Sequence, residues 1–109
     1  MIFAIRIDLS AALALEATER ELLVSRERAR AAELVQSGVF LRIWRVGGAP
    51  WENLIIARAE SESDLRGLIR TLPLFPWMAT EITRLSTHES DPLEGESDGG
   101  VRYPGFGRT

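Results

Sequence analysis

The first part of the chain combines a strand pattern with a helix pattern. Apolar residues occupy every second position over residues 3–9, which is the period of a half-buried strand, and Arg6 and Asp8 stand between them. Residues 11–37 are then rich in Ala, Leu, Glu and Arg and contain neither proline nor glycine, until Gly38 follows as a stop signal. These patterns predict a strand followed by one long helix.

Two further strands are predicted on either side of a turn. Apolar residues alternate over residues 39–46, and the turn residues Gly-Gly-Ala-Pro follow at positions 47–50. Residues 51–60 contain a Leu-Ile-Ile run and predict a third strand, which a hairpin joins to the second. Strict alternation places two apolar sets on opposite faces of the second strand: Phe40, Trp44 and Val46 on one face, and Val39, Leu41 and Ile43 on the other.

A second helix, an apolar connector and a fourth strand complete the pattern. Ser61 and Asp64 resemble a capping box, and apolar residues follow at helical spacing until Pro73. Residues 72–78, called the connector below, read Leu-Pro-Leu-Phe-Pro-Trp-Met; their two prolines exclude both a helix and a regular strand. Residues 78–85 alternate again and predict the last strand.

The resulting order, βαββαβ, is that of the ferredoxin-like α+β fold, in which a four-stranded antiparallel sheet carries both helices on one face. The other face needs a cover, and apolar residues on both faces of the second strand predict that a partner subunit provides it, as in a dimeric α/β barrel. From residue 89 the composition changes to Gly, Pro and acidic residues. We therefore predict a domain of residues 1–88 and a tail of residues 89–109 that is flexible or docks on a neighbouring subunit.

Composition and charge narrow the chemistry. The chain has no cysteine and a single histidine, His88, so a Cys-ligated metal, a histidine metal site and a Ser-His-Asp triad are not expected. All thirteen basic residues are arginine, which excludes a lysine Schiff base and favours two-point binding of carboxylates. The net charge of −3 argues against nucleic-acid binding, and no apolar run is long enough to span a membrane. We expect a cytoplasmic protein without a metal, for which small anions remain candidate ligands.

Glu27 is a candidate for acid–base chemistry. It falls at the edge of an apolar stripe of the long helix, four residues after Leu23 and seven before Leu34. Burial there would raise the pKa of its carboxyl, whereas the arginines at positions 26, 28 and 30 would lower it. The alternative is a solvated glutamate in ordinary helical ion pairs, and the pattern alone favours that alternative. The stripe consists of Leu15, Leu22, Leu23, Ala29 and Leu34.

Large side chains on the strands are candidate ligand contacts. Arg6 and Arg45 occupy sheet positions, where long charged side chains are less common than on helices. Arg6 requires either an ion-pair partner, such as Asp8, or a bound anion. For Trp44 and Trp51, packing in the core or in an interface is the commoner role. None of these signals is specific alone.

A set of short motifs is more specific when its members are taken together. The Trp-Arg pair before the hairpin and the connector carry most of the information. The full set is Arg6 with Asp8, Glu27-Arg28-Ala29, Glu33-Leu34, Ser37-Gly38, Ile43-Trp44-Arg45, Asn53 and Leu72-Pro73-Leu74-Phe75-Pro76-Trp77-Met78. In these residues the chain resembles the muconolactone delta-isomerase family, over a stretch from Met1 to about His88.

The resemblance implies a ferredoxin-like fold, homodimers assembled into a decamer, a pocket at the subunit interface and no cofactor. Members of that family move the double bond of muconolactone to give 3-oxoadipate enol-lactone in the β-ketoadipate route, which is a 1,3-proton transfer. Glu27 matches the family's Glu-Lys pair, here Glu27-Arg28, and would be the proton shuttle. The implied substrate contacts are Arg6, Arg28 or Arg45 for a carboxylate or the enolate oxygen, with Trp44 and, on the apolar wall, Phe75.

The chain differs from the family pattern at a few positions. Ala4 stands where the family commonly has histidine, Ala57-Arg58 replaces Phe-Asp, and Glu89 replaces a proline. These differences keep two alternatives open. The first is a different small substrate on the same fold, as in a cyclase, a dehalogenating lactone isomerase or a cofactor-free monooxygenase. The second is a non-catalytic oligomer that binds a small ligand.

Overall fold

The structure, a computed structural model, describes residues 1–93 and contains the predicted βαββαβ order. Its elements are β1 (Ile2–Asp8), α1 (Ala17–Gln36), β2 (Phe40–Arg45), β3 (Glu52–Arg58), α2 (Glu62–Ile69) and β4 (Ala79–Leu85). The strands form one antiparallel sheet in the order β2-β3-β1-β4, which confirms the predicted ferredoxin-like α+β fold. Within residues 1–93, no helix is long and apolar enough to cross a membrane. From residue 94 onward, the predicted tail lies outside the described residues, and the division at residue 88 stays a prediction.

The predicted long helix is wrong at its N-terminal end. Ser10–Ala14 forms a separate 3-10 segment, and α1 begins only at Ala17. Glu16 has an extended backbone, and its carboxylate accepts hydrogen bonds from the amides of Thr18 and Glu19, each at 3.1 Å. These bonds satisfy two of the N–H groups that a helix start leaves unpaired, and they lower the pKa of Glu16. Helix-favouring composition continues through this break, so composition could not reveal it.

The sheet has one face under the helices and one open face. The inner face of β1 carries Phe3, Ile5 and Ile7, all of which are buried against the helices. The open face presents the alternate residues of the register, which include Ala4, Arg6 and Asp8 of β1, Leu54 and Ile56 of β3, Arg42 and Trp44 of β2, and Glu81 and Thr83 of β4.

A bulge in β2 overturns the predicted arrangement of its side chains. Phe40 lies opposite Ala57, whereas Arg42 lies opposite the adjacent residue Ile56, so β2 has one extra residue here. The extra residue reverses the alternation, and Phe40 is buried on the inner face rather than sharing a face with Trp44. Strict alternation placed Phe40 on the wrong face because a bulge has no clear signature in this sequence.

The connector packs on the core of its own chain. Leu72 and Leu74 are buried, and three partly buried connector residues contact the same apolar cluster. Its middle forms a short 3-10 segment, Phe75–Trp77, in agreement with the prediction that it is neither an α-helix nor a regular strand. The core that it joins consists of Phe3, Ile5, Ile7, Leu9, Ala12, Leu34, Phe40, Ile55, Ala57, Leu65, Ile69, Leu72 and Leu74.

Two glycines are expected to respond oppositely to alanine. Gly38 ends α1 at φ +82° in a Schellman motif, and no atom lies within 4 Å of the position that a Cβ would occupy. Gly38→Ala should therefore cost about 1 kcal/mol through backbone strain alone. Gly67 lies inside α2 with equally open surroundings, so Gly67→Ala should stabilise the protein by about 0.5–1 kcal/mol. Urea unfolding of both variants tests the pair, and equal effects would contradict the argument.

Candidate active site

Glu27 lies on the side of α1 that packs on the sheet. Leu23 and Ala31 are partly buried, Leu34 is fully buried, and Glu27 falls between them at intervals of four and seven residues. The predicted stripe is wrong in two members, because Leu22 is 52% exposed and Ala29 is also exposed. Glu27 is thus more central on the buried side than the predicted stripe indicated.

One oxygen of the Glu27 carboxylate is held by the connector. The backbone N–H of Leu74 donates a hydrogen bond to Oε1 of Glu27 at 2.9 Å, across 47 positions of sequence. Leu74 is itself buried in the core, and the prolines on either side of it restrict the backbone. The amide donor is therefore fixed relative to the carboxylate.

Burial raises the pKa of the Glu27 carboxyl, and the hydrogen bond from Leu74 partly opposes that rise. The neighbouring arginines do not lower it as the sequence suggested. Arg26 and Arg28 are exposed, and Arg30 donates to Oγ1 of Thr71 at 2.9 Å and pairs with Glu33. A half-buried carboxylate with a raised pKa can both accept and return a proton, which is the requirement for a proton shuttle.

Arg6 has a partner, but it is not the predicted one. Its Nε donates to Oε1 of Glu52 at 2.9 Å, its Nη2 contacts the same oxygen, and Glu81 lies opposite it on β4. The hydrogen bond and charge of Glu52 raise the pKa of Arg6. Asp8 instead accepts from the amide of Ser10 at 2.7 Å. The ion pair is exposed, so Arg6 is a charged group already engaged on the open face.

The other candidate residues are distributed over the molecule. Trp44 lies on the open face, with the guanidinium of Arg42 at 4.8 Å from its ring centroid. Arg45 donates to the carbonyl of Pro50 at 2.8 Å, within the hairpin. Phe75 follows Leu74 in the connector and is half-buried.

The candidate set forms two groups within one chain. Glu27 and Phe75 lie on the helix side, near the connector, whereas Arg6 and Trp44 lie on the open face, opposite the same residue, Leu54. The sheet separates the two groups. A single chain therefore does not bring all the predicted substrate contacts together.

Comparison with known proteins assigns the chain to a family. The sequence model described as muconolactone delta-isomerase matches residues 1–91. The chain belongs to the muconolactone delta-isomerase family. A muconolactone Delta-isomerase of Rhodococcus opacus is 36% identical over 90 residues, which covers 83% of this chain and 96% of that protein. The corresponding protein of Acinetobacter baylyi is 30% identical over 97 residues, covering 89% of this chain and 100% of its own length.

Solved structures agree with this muconolactone delta-isomerase fold. A crystal structure of muconolactone isomerase superposes with a TM-score of 0.79 at 24% identity, covering 89% of this chain and 100% of that chain. A 5-chloro-2-hydroxyhydroquinone dehydrochlorinase of Burkholderia phenoliruptrix superposes with a TM-score of 0.56 at 16% identity, covering 81% of this chain and 96% of that chain. At these identities both similarities show the fold alone.

The departures of this family member from the usual motif include three positions on β1 and β3. Ala4 is on the open face, opposite Ile56, and Arg58 pairs in register with Ile2 at the end of the same sheet. The Nε atom of Arg58 is buried and has no hydrogen-bond partner. Ala57 is fully buried in the core, so its exchange is a packing change. Ala57 shares that core with Leu72 and Leu74 of the connector, whereas Ala4 shares the open face with Arg6 and Trp44.

A surface groove and a backbone amide are two features that the sequence patterns did not predict. A groove of about 420 Å³ contains Arg28 and Trp51, together with Arg20, Glu21, Val24 and Ser25 of α1. The other missed feature is the Leu74 amide, which is a backbone group and therefore carries no side-chain signal; only the flanking prolines point to a fixed backbone there. Within residues 1–93, no cluster of His, Asp and Glu side chains could hold a metal ion.

Glu27→Gln is expected to change how stability depends on pH. Because burial raises the pKa of Glu27 in the folded state, its contribution to stability is present below the ordinary carboxyl range and is lost as the pH rises through the raised pKa. Glutamine remains neutral throughout and can still accept from Leu74. The variant should therefore gain stability relative to the wild type as the pH increases. Urea unfolding from acid to neutral pH tests this, and a constant difference would contradict it.

Proposed function

We propose that the chain is a cofactor-free isomerase that converts muconolactone to 3-oxoadipate enol-lactone. The observation that carries the proposal is the half-buried Glu27, whose Oε1 accepts from Leu74 and whose pKa is raised by burial. Membership of the muconolactone delta-isomerase family supports this substrate over the alternatives of a cyclase, a cofactor-free monooxygenase or a binding protein. Ala4 shares the open face with Arg6 and Trp44, so the turnover measurement described below also tests whether the reaction is retained with this exchange.

The proposed reaction is a 1,3-shift that moves one proton from the γ carbon to the α carbon. Glu27 removes the proton γ to the lactone carbonyl, and the electrons of that C–H bond form a dienolate. The protonated carboxyl then returns a proton to the α carbon, which places the double bond in its new position. A carboxyl with a raised pKa suits both steps, because it is basic enough to accept the proton and acidic enough to return it. The connector, with Phe75, would form the apolar wall that excludes water.

An arginine is proposed to bind the carboxylate of the substrate or the enolate oxygen. Arg6 already binds Glu52, and Arg45 already binds the carbonyl of Pro50. Arg28 is exposed in the groove that also contains Trp51, so it offers a charged group beside an aromatic surface. We therefore place Arg28 first among the three arginines, with Trp44 as a contact contributed from the open face.

We further propose a homo-oligomer, assembled from dimers into a decamer, in the cytoplasm. Separation of the candidate residues by the sheet supports an oligomer, because a partner subunit could bring the open face of one chain to the helix side of another. The exposed apolar residues Leu22, Val35 and Ile43 also favour subunit contacts. Sedimentation velocity measures the assembly directly, and a monomer at assay concentrations would contradict this part of the proposal.

Incubation of the purified protein with muconolactone tests the function. We expect a rapid double-bond shift that yields the enol-lactone without added metal or cofactor. Proton NMR monitors this shift. Arg28→Gln should raise KM more than it lowers kcat, because binding of the carboxylate contributes to both the ground state and the transition state. Absence of turnover together with a ligand-induced rise in Tm would instead support a binding protein. Absence of both would contradict the assignment of this substrate.

A further inference from the structure

The connector makes a specific contact with the carboxylate that the proposed function uses. In addition to its apolar packing, it donates one main-chain N–H, that of Leu74, to Oε1 of Glu27 at 2.9 Å. This amide belongs to a backbone that is otherwise internally bonded, since Phe75 N donates to Leu72 O and Trp77 N donates to Leu74 O, both at 2.9 Å. The Leu74 N–H is thus directed outward from the connector, toward α1.

We propose that the Leu74 amide is a positioning group that assigns different tasks to the two oxygens of Glu27. Oε1 is held by the amide, and Oε2 is the atom that takes up and returns the proton. A carboxylate on a flexible side chain can rotate, and rotation would change the distance from its basic oxygen to the substrate carbon. Anchoring one oxygen to a proline-bounded backbone prevents that rotation. This inference deepens the proposed function and rests on it.

The surroundings of Glu27 explain why a single amide has a large influence. The connector and the 3-10 segment Ser10–Ala14 contain no titratable side chain. From α1, Arg30 is directed to Thr71 and Glu33. On α2, Arg66 pairs with Glu62 and Asp64 is exposed, and Arg70 at the end of this helix is also exposed. Burial and the amide are then the two main influences on the pKa of this carboxyl.

Replacement of one peptide bond by an ester tests the proposal without changing a side chain. Incorporation of the α-hydroxy analogue of leucine at position 74 removes the N–H that binds Glu27 and leaves the rest of Leu74 intact. The matched control is the same exchange at Phe75, which removes a connector hydrogen bond of equal length, 2.9 Å, that does not involve Glu27. Both esters weaken the connector, and only the first should affect the carboxylate.

We expect the two esters to differ in their effects on kcat and on the pKa of Glu27. The ester at position 74 should lower kcat by about tenfold, with a smaller change in KM, because an amide hydrogen bond to a charged group is lost. The pKa of Glu27, followed by ¹³C NMR of labelled glutamate and assigned by comparison with Glu27→Gln, should rise, since burial is then unopposed. The ester at position 75 should leave that pKa unchanged. Equal effects of the two esters on kcat would overturn the inference. An unchanged pKa of Glu27 in the protein with the ester at position 74 would also overturn it.

Failure of the proposed function gives a different result. If Glu27→Gln retains full turnover, then Glu27 is not the shuttle and the proposed mechanism is wrong. If Glu27→Gln is inactive but the two esters behave alike, then Glu27 is the shuttle and the Leu74 amide has only a structural role. The NMR titration also reports on the amide independently of any activity measurement.

Discussion

Glu27→Gln is expected to lower kcat for muconolactone by about 10²- to 10⁴-fold, the usual contribution of a positioned acid–base group. Glutamine has nearly the same shape and can still accept the hydrogen bond of Leu74, so the fold should be retained. It cannot take up a proton at the pH of the assay, and both halves of the proton transfer are lost. KM should change little, because the loss falls on the chemical step. Steady-state kinetics that follow the double-bond shift measure kcat and KM.

The control for Glu27→Gln is the same exchange at Glu33. Glu33 lies on α1 as well, but it is exposed and pairs with Arg30 on the helix surface. Glu33→Gln should therefore keep nearly wild-type turnover. Sedimentation velocity on both variants would show whether the assembly is intact. A fully active Glu27→Gln variant would remove Glu27 from the mechanism, whatever the behaviour of the control.

Phe40→Ala is expected to reduce the free energy of unfolding by about 3–5 kcal/mol, the cost of removing a large aromatic side chain from a packed core. The residue is only 2% exposed and belongs to the main apolar cluster. It reaches this cluster because of the bulge between Phe40 and Arg42, since strict alternation would place it with Trp44 on the open face. Urea unfolding at a fixed protein concentration measures the loss, because the apparent stability of any oligomer depends on concentration.

Ile43→Ala provides the comparison on the same strand. Ile43 is 45% exposed, so its truncation should cost roughly 1 kcal/mol or less in the isolated chain. Ile43 lies opposite the buried Ile55 and so shares the helix-side face with Phe40, but it stays exposed on the edge strand. The ratio of the two effects therefore tests whether Phe40 reaches the core. A small effect of Phe40→Ala would mean that the bulge is absent and that the alternation continues unbroken through β2.

Much of the fold could be predicted from local patterns. The strand periods, Gly38 and the two prolines of the connector each act within a few residues, and each predicted element is present in the structure. The start of α1 could not be predicted in the same way. Helix propensity is similar on both sides of Glu16, and the start of α1 is set by a carboxylate that caps two amides.

The candidate site was predicted less completely than the fold. The spacing of Glu27 from Leu23 and Leu34 made it a candidate, because a helix repeats its faces at fixed intervals. The pattern alone favoured a solvated glutamate, and the role of proton shuttle came from the resemblance to the family. The predicted partner of Arg6, Asp8, was wrong. The observed partner, Glu52, is distant in sequence and reaches Arg6 only through the pairing of β1 with β3. A residue's neighbours across a sheet depend on register, and register is a property of the whole sheet.

The sequence by itself determined the βαββαβ order, the stiff apolar connector and the family to which the chain belongs, because these depend on local periods, on proline geometry and on short motifs. Only the tertiary structure decided that Phe40 is a core residue, that Arg6 binds Glu52 and that Glu27 is half-buried against Leu74. Each of these depends on contacts between segments far apart in the chain. Burial raises the pKa of Glu27 and one amide from position 74 opposes that rise, and both influences exist only when α1 and the connector pack together.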